Sequence, residues 1–249
     1  MTNSTKYHFS DFTRENYRKL LRLAKSKYNF IQFTESQIAD GSILWRHDVD
    51  YSPQAALKLA EIESQEGIKS TYFILFHSEF YNLLEKVNID CFKNISKLGH
   101  EIGLHFDASF YNVQDITSLE KYLNIESTFL GEILHEKIKA FSFHNPFEFE
   151  LGCNENTYAG LINSYAKRFH KEIGYCSDSN GYWRHKRLED VLTEGEFRSL
   201  QVLTHPEWWQ DEILSPKQRV LRCIEGRSEY VRTSYENFLK LHGRSDIDW

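Results

Sequence analysis

At 249 residues, 41% hydrophobic and 27% charged, the chain is large enough for a sizeable core and has the make-up of a globular protein. Its formal net charge of −6 argues against nucleic acid as a principal partner, since phosphate backbones call for a basic footprint. No apolar run approaches the ~18 residues of a membrane span. The N-terminus MTNSTKYHFSDFTRENYRKLL has no apolar leader core, and Cys91, Cys153, Cys176 and Cys223 form no CxxC pair. These features predict a reducing, cytoplasmic setting without membrane insertion.

In chain order, a helix is predicted over 11–28, with Phe12, Tyr17, Leu20, Leu21 and Leu23 on a loose apolar face. After the turn signal Asp40-Gly41-Ser42 comes a core strand over 43–47. A helix follows, with Ser52 to cap it, Pro53 in its first turn and Gly67 to end it. A strand over 71–76, a helix over 82–98 and a strand over 101–106 come next. A longer helix over 115–137 leads into a strand over 140–143. Beyond it a helix is expected over 155–170, then strands over 173–176 and 199–204. Ser215-Pro216-Lys217-Gln218 has the form of a capping box opening a last helix.

Six strands alternating with helices imply parallel βαβ units in one domain spanning 1–249, with its core about 40–210. Such α/β folds place chemistry at the carboxyl ends of strands. Four polar clusters fall there: Arg46-His47-Asp48-Val49-Asp50, Gly99-His100-Glu101-Ile102-Gly103-Leu104-His105, Ser142-Phe143-His144-Asn145-Pro146 and Thr204-His205-Pro206-Glu207-Trp208-Trp209. Carboxylates and imidazoles so arranged suit a divalent metal and its acid/base partners.

Asp48 and Asp50, two apart, face the same side of an extended strand end. One can bind metal while the other takes the proton of an attacking water. His100 and His105 cannot ligate one ion together, because five strand residues span about 16 Å and each zinc ligand lies about 2 Å from the metal. His105, at the carboxyl end, is the candidate ligand and His100 the structural one. His144 and His205 also end strands, and an imidazole there can protonate a leaving amine or alcohol. Asp178, after another strand, can orient such a histidine. Arg184 offers a bidentate grip on carboxylate or phosphate, although surface arginines are commoner. Trp208 and Trp209 suit either a sugar-stacking wall or the core.

The combination of RHDVD, GHEIGLH and THPEWW resembles the polysaccharide deacetylase (NodB-homology) superfamily, over about residues 40–210. It looks closest to a bacterial branch associated with O-antigen and capsule gene clusters. The resemblance implies a distorted (β/α)7 barrel of parallel strands. It also implies removal of acyl groups from N-acylated sugars in surface-polysaccharide biosynthesis, with a divalent metal, zinc in the first instance. Carried over residue by residue, Asp48 is the base, Asp50 and His105 are metal ligands, and His205 is the general acid.

One position departs from the pattern. The second ligand histidine expected four residues after His105 is Ser109. His144 or Asp107 takes its place, or the metal site is degraded; His144 is favoured because Asp50, His105 and His144 leave a position open. The segment His144-Asn145-Pro146 also lacks the family's arginine before the proline. Asn145, Asp178, Arg184 and Trp208 are the expected substrate contacts. The partner is then a glycan or small molecule, with the oligomeric state open. The alternatives are a hydrolase of small non-sugar amides and a carbohydrate-binding pseudoenzyme on the same barrel.

Overall fold

The computed structural model describes residues 2–35, 38–245 and 247. Its helices are α1 (Asn3–Lys6), α2 (Arg14–Lys25), α3 (Pro53–Gln65), α4 (Lys86–Lys97), α5 (Ile116–Leu134), α6 (Glu148–Gly152), α7 (Lys167–His170), α8 (Leu188–Glu194) and α9 (Pro216–Leu241). Its strands are β1 (Asn29–Ile31), β2 (Ser42–Val49), β3 (Thr71–Leu75), β4 (Glu101–Phe106), β5 (Ala140–Phe143), β6 (Thr157–Tyr158), β7 (Leu161–Asn163), β8 (Gly174–Ser177) and β9 (Leu200–Thr204).

One sheet runs in the order β6-β7-β5-β4-β3-β2-β9-β8, with β1 added alongside β2. Every pairing is parallel except the β6–β7 hairpin. The fold is therefore an α/β domain on a curled parallel sheet, with β2 to β5 and β7 to β9 as its seven core strands. No pairing among the described residues joins β8 to the β6–β7 edge, so the barrel is open on that side. β2 lies inside the sheet: β9 pairs with it from Ile43 to His47, and its other edge is shared by β1, up to Leu44, and β3, from Arg46.

Local chemistry explains most boundaries. Ser52 Oγ accepts the Ala55 amide at 3.1 Å ahead of Pro53, Asp115 caps α5 through the Ser118 amide at 2.8 Å, and Ser215 and Gln218 form the reciprocal capping box of α9. The helix expected over 155–170 is reduced to its last turn, α7 (Lys167–His170). Ala159 (φ 49°) and Gly160 (φ 75°) instead turn the chain tightly between β6 and β7, and two successive positive-φ residues make the turn that suits a two-residue hairpin. β1 and α8 also go beyond the sequence-based prediction.

Period-two alternation sorts the strand residues onto two faces. The outer face (Ile43, Trp45, Val49, Tyr72, Ile74, Ile102, Leu104, Phe106, Phe141) packs into the two larger apolar clusters that involve the helices. The inner face carries a small cluster of Phe33, Leu44, Phe73, Ala140, Ala166 and Phe169. Phe73 fits because Gly103, beside it on β4, has no side chain: a Cβ there would lie 2.5 Å from the Phe73 ring.

All eight β2 residues are buried, including Arg46, His47 and Asp48, and buried charge requires partners. On the outer side His47 Nε2 lies 2.6 Å from Glu63 Oε1 and its Nδ1 2.7 Å from Thr204 Oγ1. Glu63 also accepts from Tyr17, Tyr72 and Ser70. His100 belongs to this network, with Nδ1 3.1 Å from Ser70 Oγ and Nε2 3.0 Å from the Ala60 carbonyl. Among the described residues no helix is long and apolar enough to cross a membrane.

Candidate active site

Arg46, Asp48 and Asp50 follow one another at the period of a strand, which carries a polar line up the inner face to the carboxyl end of β2. Arg46 is buried beneath the centre. Its Nη2 lies 3.2 Å from Asp48 Oδ2, its Nη1 2.5 Å from Ser164 Oγ, and its guanidinium 5.0 Å from the Tyr165 ring centre. Burial is the largest single influence and works against its charge, but Asp48, Tyr165 and Tyr175 together outweigh it and hold the group above its ordinary pKa.

Asp48 Oδ1 accepts the Ser142 hydroxyl at 3.3 Å, and Ser142 Oγ in turn lies 2.7 Å from His105 Nδ1. A hydroxyl has one proton to give. Donating it to Asp48 makes Ser142 the acceptor for His105 Nδ1–H, which leaves a lone pair on Nε2. The chain from Arg46 through Asp48 and Ser142 thus sets the histidine tautomer that a metal requires.

Asp50, His105 and His144 come together at the carboxyl ends of β2, β4 and β5. One ligand atom from each lies within 4.8 Å of the others. Asp50 Oδ1 is 3.2 Å from His105 Nε2 and 3.5 Å from His144 Nδ1, yet this buried oxygen makes no hydrogen bond. His144 Nδ1 also lies 3.1 Å from His105 Nε2, a ring-to-ring hydrogen bond that an ion shared by the two nitrogens would replace. Burial opposes ionisation of Asp50, but His105, His144 and His205 outweigh it and hold its carboxyl well below the usual range. One carboxylate oxygen and two imidazole nitrogens fit zinc with a coordination position open.

His144 Nε2 lies 2.9 Å from the Asn145 amide nitrogen. Reversing that amide, which moves no heavy atom, puts Oδ1 on Nε2–H and frees Nδ1 as a ligand. Asn145 is held at φ 43°, in the left-handed region that asparagine tolerates best among residues with side chains, glycine aside. Asp107 is engaged elsewhere: its Oδ1 accepts the Ser109 amide (2.9 Å), the Ser109 hydroxyl (2.6 Å) and the Phe110 amide (3.2 Å). Residues 107–110 form a turn rather than a helix, and Ser109 lines the cleft beside Asp50 and His144 with its hydroxyl turned onto Asp107.

His205 follows β9. Its Nδ1 donates to Asp178 Oδ1 at 2.7 Å, and its Nε2 lies 3.9 Å from Asp50 Oδ2. Burial lowers its pKa, but Asp178 and then Asp50 outweigh this and push it up to about 10. The ring therefore carries a donatable Nε2 proton at neutral pH.

A cleft of about 870 Å³ opens over the centre, lined by Asp50, His144, Asn145, Arg184, His205 and Trp208 among others. Asp178 is fully buried behind His205 and supports it rather than meeting the cleft. Trp208, 5% exposed, contributes to the wall without offering a whole face for stacking. Phe110, 59% exposed and stacked on His77 at 3.5 Å between ring centres, does offer one. Phe110, His77, Arg46 and Ser142 had no role assigned from the sequence. The signal for the last two was strand alternation, which aligns Arg46 with Asp48 and Ser142 with His144.

No protein-family model matches the sequence, and no curated protein matches it. Among solved structures the chain is similar to a family 4 carbohydrate esterase from Bacillus anthracis (14% identity, TM-score 0.47, covering 86% of each chain). It is also similar to the chitin deacetylase of the fungal pathogen Colletotrichum lindemuthianum (12%, TM-score 0.44, covering 80% of this chain and 86% of that one). A third is a CE4 family pseudoenzyme from Bacillus anthracis (13%, TM-score 0.42, covering 76% of this chain), of which the chain spans 60% of the length. These are distant likenesses and assign no chemistry to this chain.

Proposed function

We propose that this protein is a metal-dependent amide hydrolase that removes the acyl group from an N-acylated sugar, with Asp50, His105 and His144 holding a divalent ion, zinc in the first instance. The observation that carries the proposal is the unbonded Asp50 oxygen between two imidazoles, with His205 Nε2 3.9 Å from the other oxygen of the same carboxylate. An ion held there supplies Lewis-acid charge for a carbonyl oxygen and lowers the pKa of water. Asp48 accepts the proton of the attacking water, and His205, oriented by Asp178, returns one to the departing amine. A sugar suits the cleft because Arg184 and Asn145 can bind its polar groups while Phe110 offers an apolar face. The surface-polysaccharide setting belongs to the same proposal and rests on the sequence motifs; the cytoplasmic location belongs to it too and rests on the cysteine spacing.

Asp48 has a second role open to it, favoured by its burial at 2% exposure and its bonds to Arg46 and Ser142: it holds His105 rather than touching water. One experiment separates the two. Acetate release from N-acetylated sugars is measured alongside metal content in Asp48→Asn. Loss of rate by two or more orders of magnitude with full metal content supports the base. A 10–100-fold loss of metal affinity supports the positioning role. Unchanged turnover with full metal overturns both.

A further inference from the structure

The C-terminal helix carries an apolar stripe that its own domain leaves partly exposed. Its first half is anchored on the body: Arg219 donates to the Gly181 carbonyl at 2.9 Å, and Arg227 forms a bidentate pair with Glu85 at 2.5 and 2.8 Å. The opposite face presents Leu221, Ile224, Ser228, Val231, Tyr235 and Phe238, spaced alternately three and four residues apart. That is the a/d spacing of a coiled-coil seam. The five apolar members are each 40–49% exposed, and one continuous row of this kind marks an interface better than scattered surface hydrophobics do.

We infer that α9 is a dimerisation helix that packs antiparallel against α9 of a second copy of this chain. The stripe is self-complementary about a twofold axis between Ser228 and Val231. Leu221 then meets the second copy's Phe238, Ile224 its Tyr235 and Ser228 its Val231, with the small serine letting the helices approach at the axis. The flanking charges choose the direction. In the antiparallel pair, Glu225 and Arg232 occupy facing e positions, so each Glu225 faces an Arg232 across the seam, twice by symmetry. In a parallel pair, the second copy's Arg232 at e would meet Arg227 at g, a cation that Glu85 already holds, and Glu225 would lose its cationic partner. Both Glu225 and Arg232 are exposed, and Arg232 has a 3.4 Å contact with Glu229 of its own helix.

The full chain is studied by sedimentation velocity over the micromolar range, with circular dichroism to confirm folding. A dimer is expected, with Val231→Glu turning it to monomer. Glu225→Arg and Arg232→Glu should each raise the dissociation constant about tenfold, and the double variant should restore it. A chain that stays monomeric throughout overturns the proposal, as does a dimer indifferent to Val231→Glu. Tighter association in Arg232→Glu overturns the antiparallel arrangement, because in a parallel seam the introduced carboxylate would face Arg227 of the second copy. Acetate release need not change in any of these variants, so this test stands apart from that of the proposed activity.

Discussion

Asp178 accepts both hydrogen bonds that His205 can direct toward it, from the backbone amide at 3.0 Å and from ring Nδ1 at 2.7 Å. The carboxylate fixes the ring's orientation and tautomer together. It is also the leading influence raising the His205 pKa, to about 10 against the opposing effect of burial.

A general acid works only while protonated, so activity falls as pH rises through its pKa. Asp178→Asn removes the raising charge, and the alkaline limb of the pH–rate profile should move to lower pH, with lower turnover at neutral pH. A bound cation near Asp50 shifts the limb in wild type and variant alike, so the comparison keeps its sign. A profile with an unmoved limb would separate His205 from the acid role.

On the outer face of β2, Glu63 is held down to about 2; burial raises its pKa, but His47, His100 and Ser70 outweigh this. A carboxyl depressed in the folded state stabilises the fold above its unfolded pKa, 4.5, and loses that contribution as pH falls toward 2. The shift corresponds to about 3 kcal/mol. In urea titrations Glu63→Gln should therefore be less stable than wild type at neutral pH by about that amount, with the gap narrowing between about pH 5 and 2. A gap that stays constant with pH would contradict the linkage.

The close approach of β3 to β4 sets a third expectation. Gly103→Ala places a methyl group 2.5 Å from the Phe73 ring and should cost about 1–3 kcal/mol through overpacking. Gly226→Ala in α9 meets nothing within 4 Å and should stabilise by about 0.5–1 kcal/mol. Denaturant midpoints check both; equal shifts would remove the argument from close packing.

Much of this was legible in the sequence because the relevant signals are local. Ser52-Pro53 and Ser215 mark helix starts through their caps, and β4 and β5 have the predicted bounds. The 16 Å argument separates His105 from His100, and the structure places one at the candidate centre and the other in the Glu63 network under α3. The losses are non-local. The β6–β7 hairpin depends on two consecutive positive-φ residues, Ala159 and Gly160, of which only the glycine is a signal. Arg46 lies within a quoted motif, but its pairing with Asp48 and Ser164 depends on burial and on strand neighbours far along the chain. Phe110 reads as an ordinary aromatic until the turn over 107–110 sets it on the cleft.

The central claim is that Asp50, His105 and His144 form one metal centre, and metal content after zinc loading and dialysis tests it most directly. One zinc per chain is predicted for wild type and for Asp107→Ala, with loss in Asp50→Ala and in His144→Ala while circular dichroism stays unchanged. A wild-type chain that retains no metal, or a full complement retained in Asp50→Ala, would contradict it.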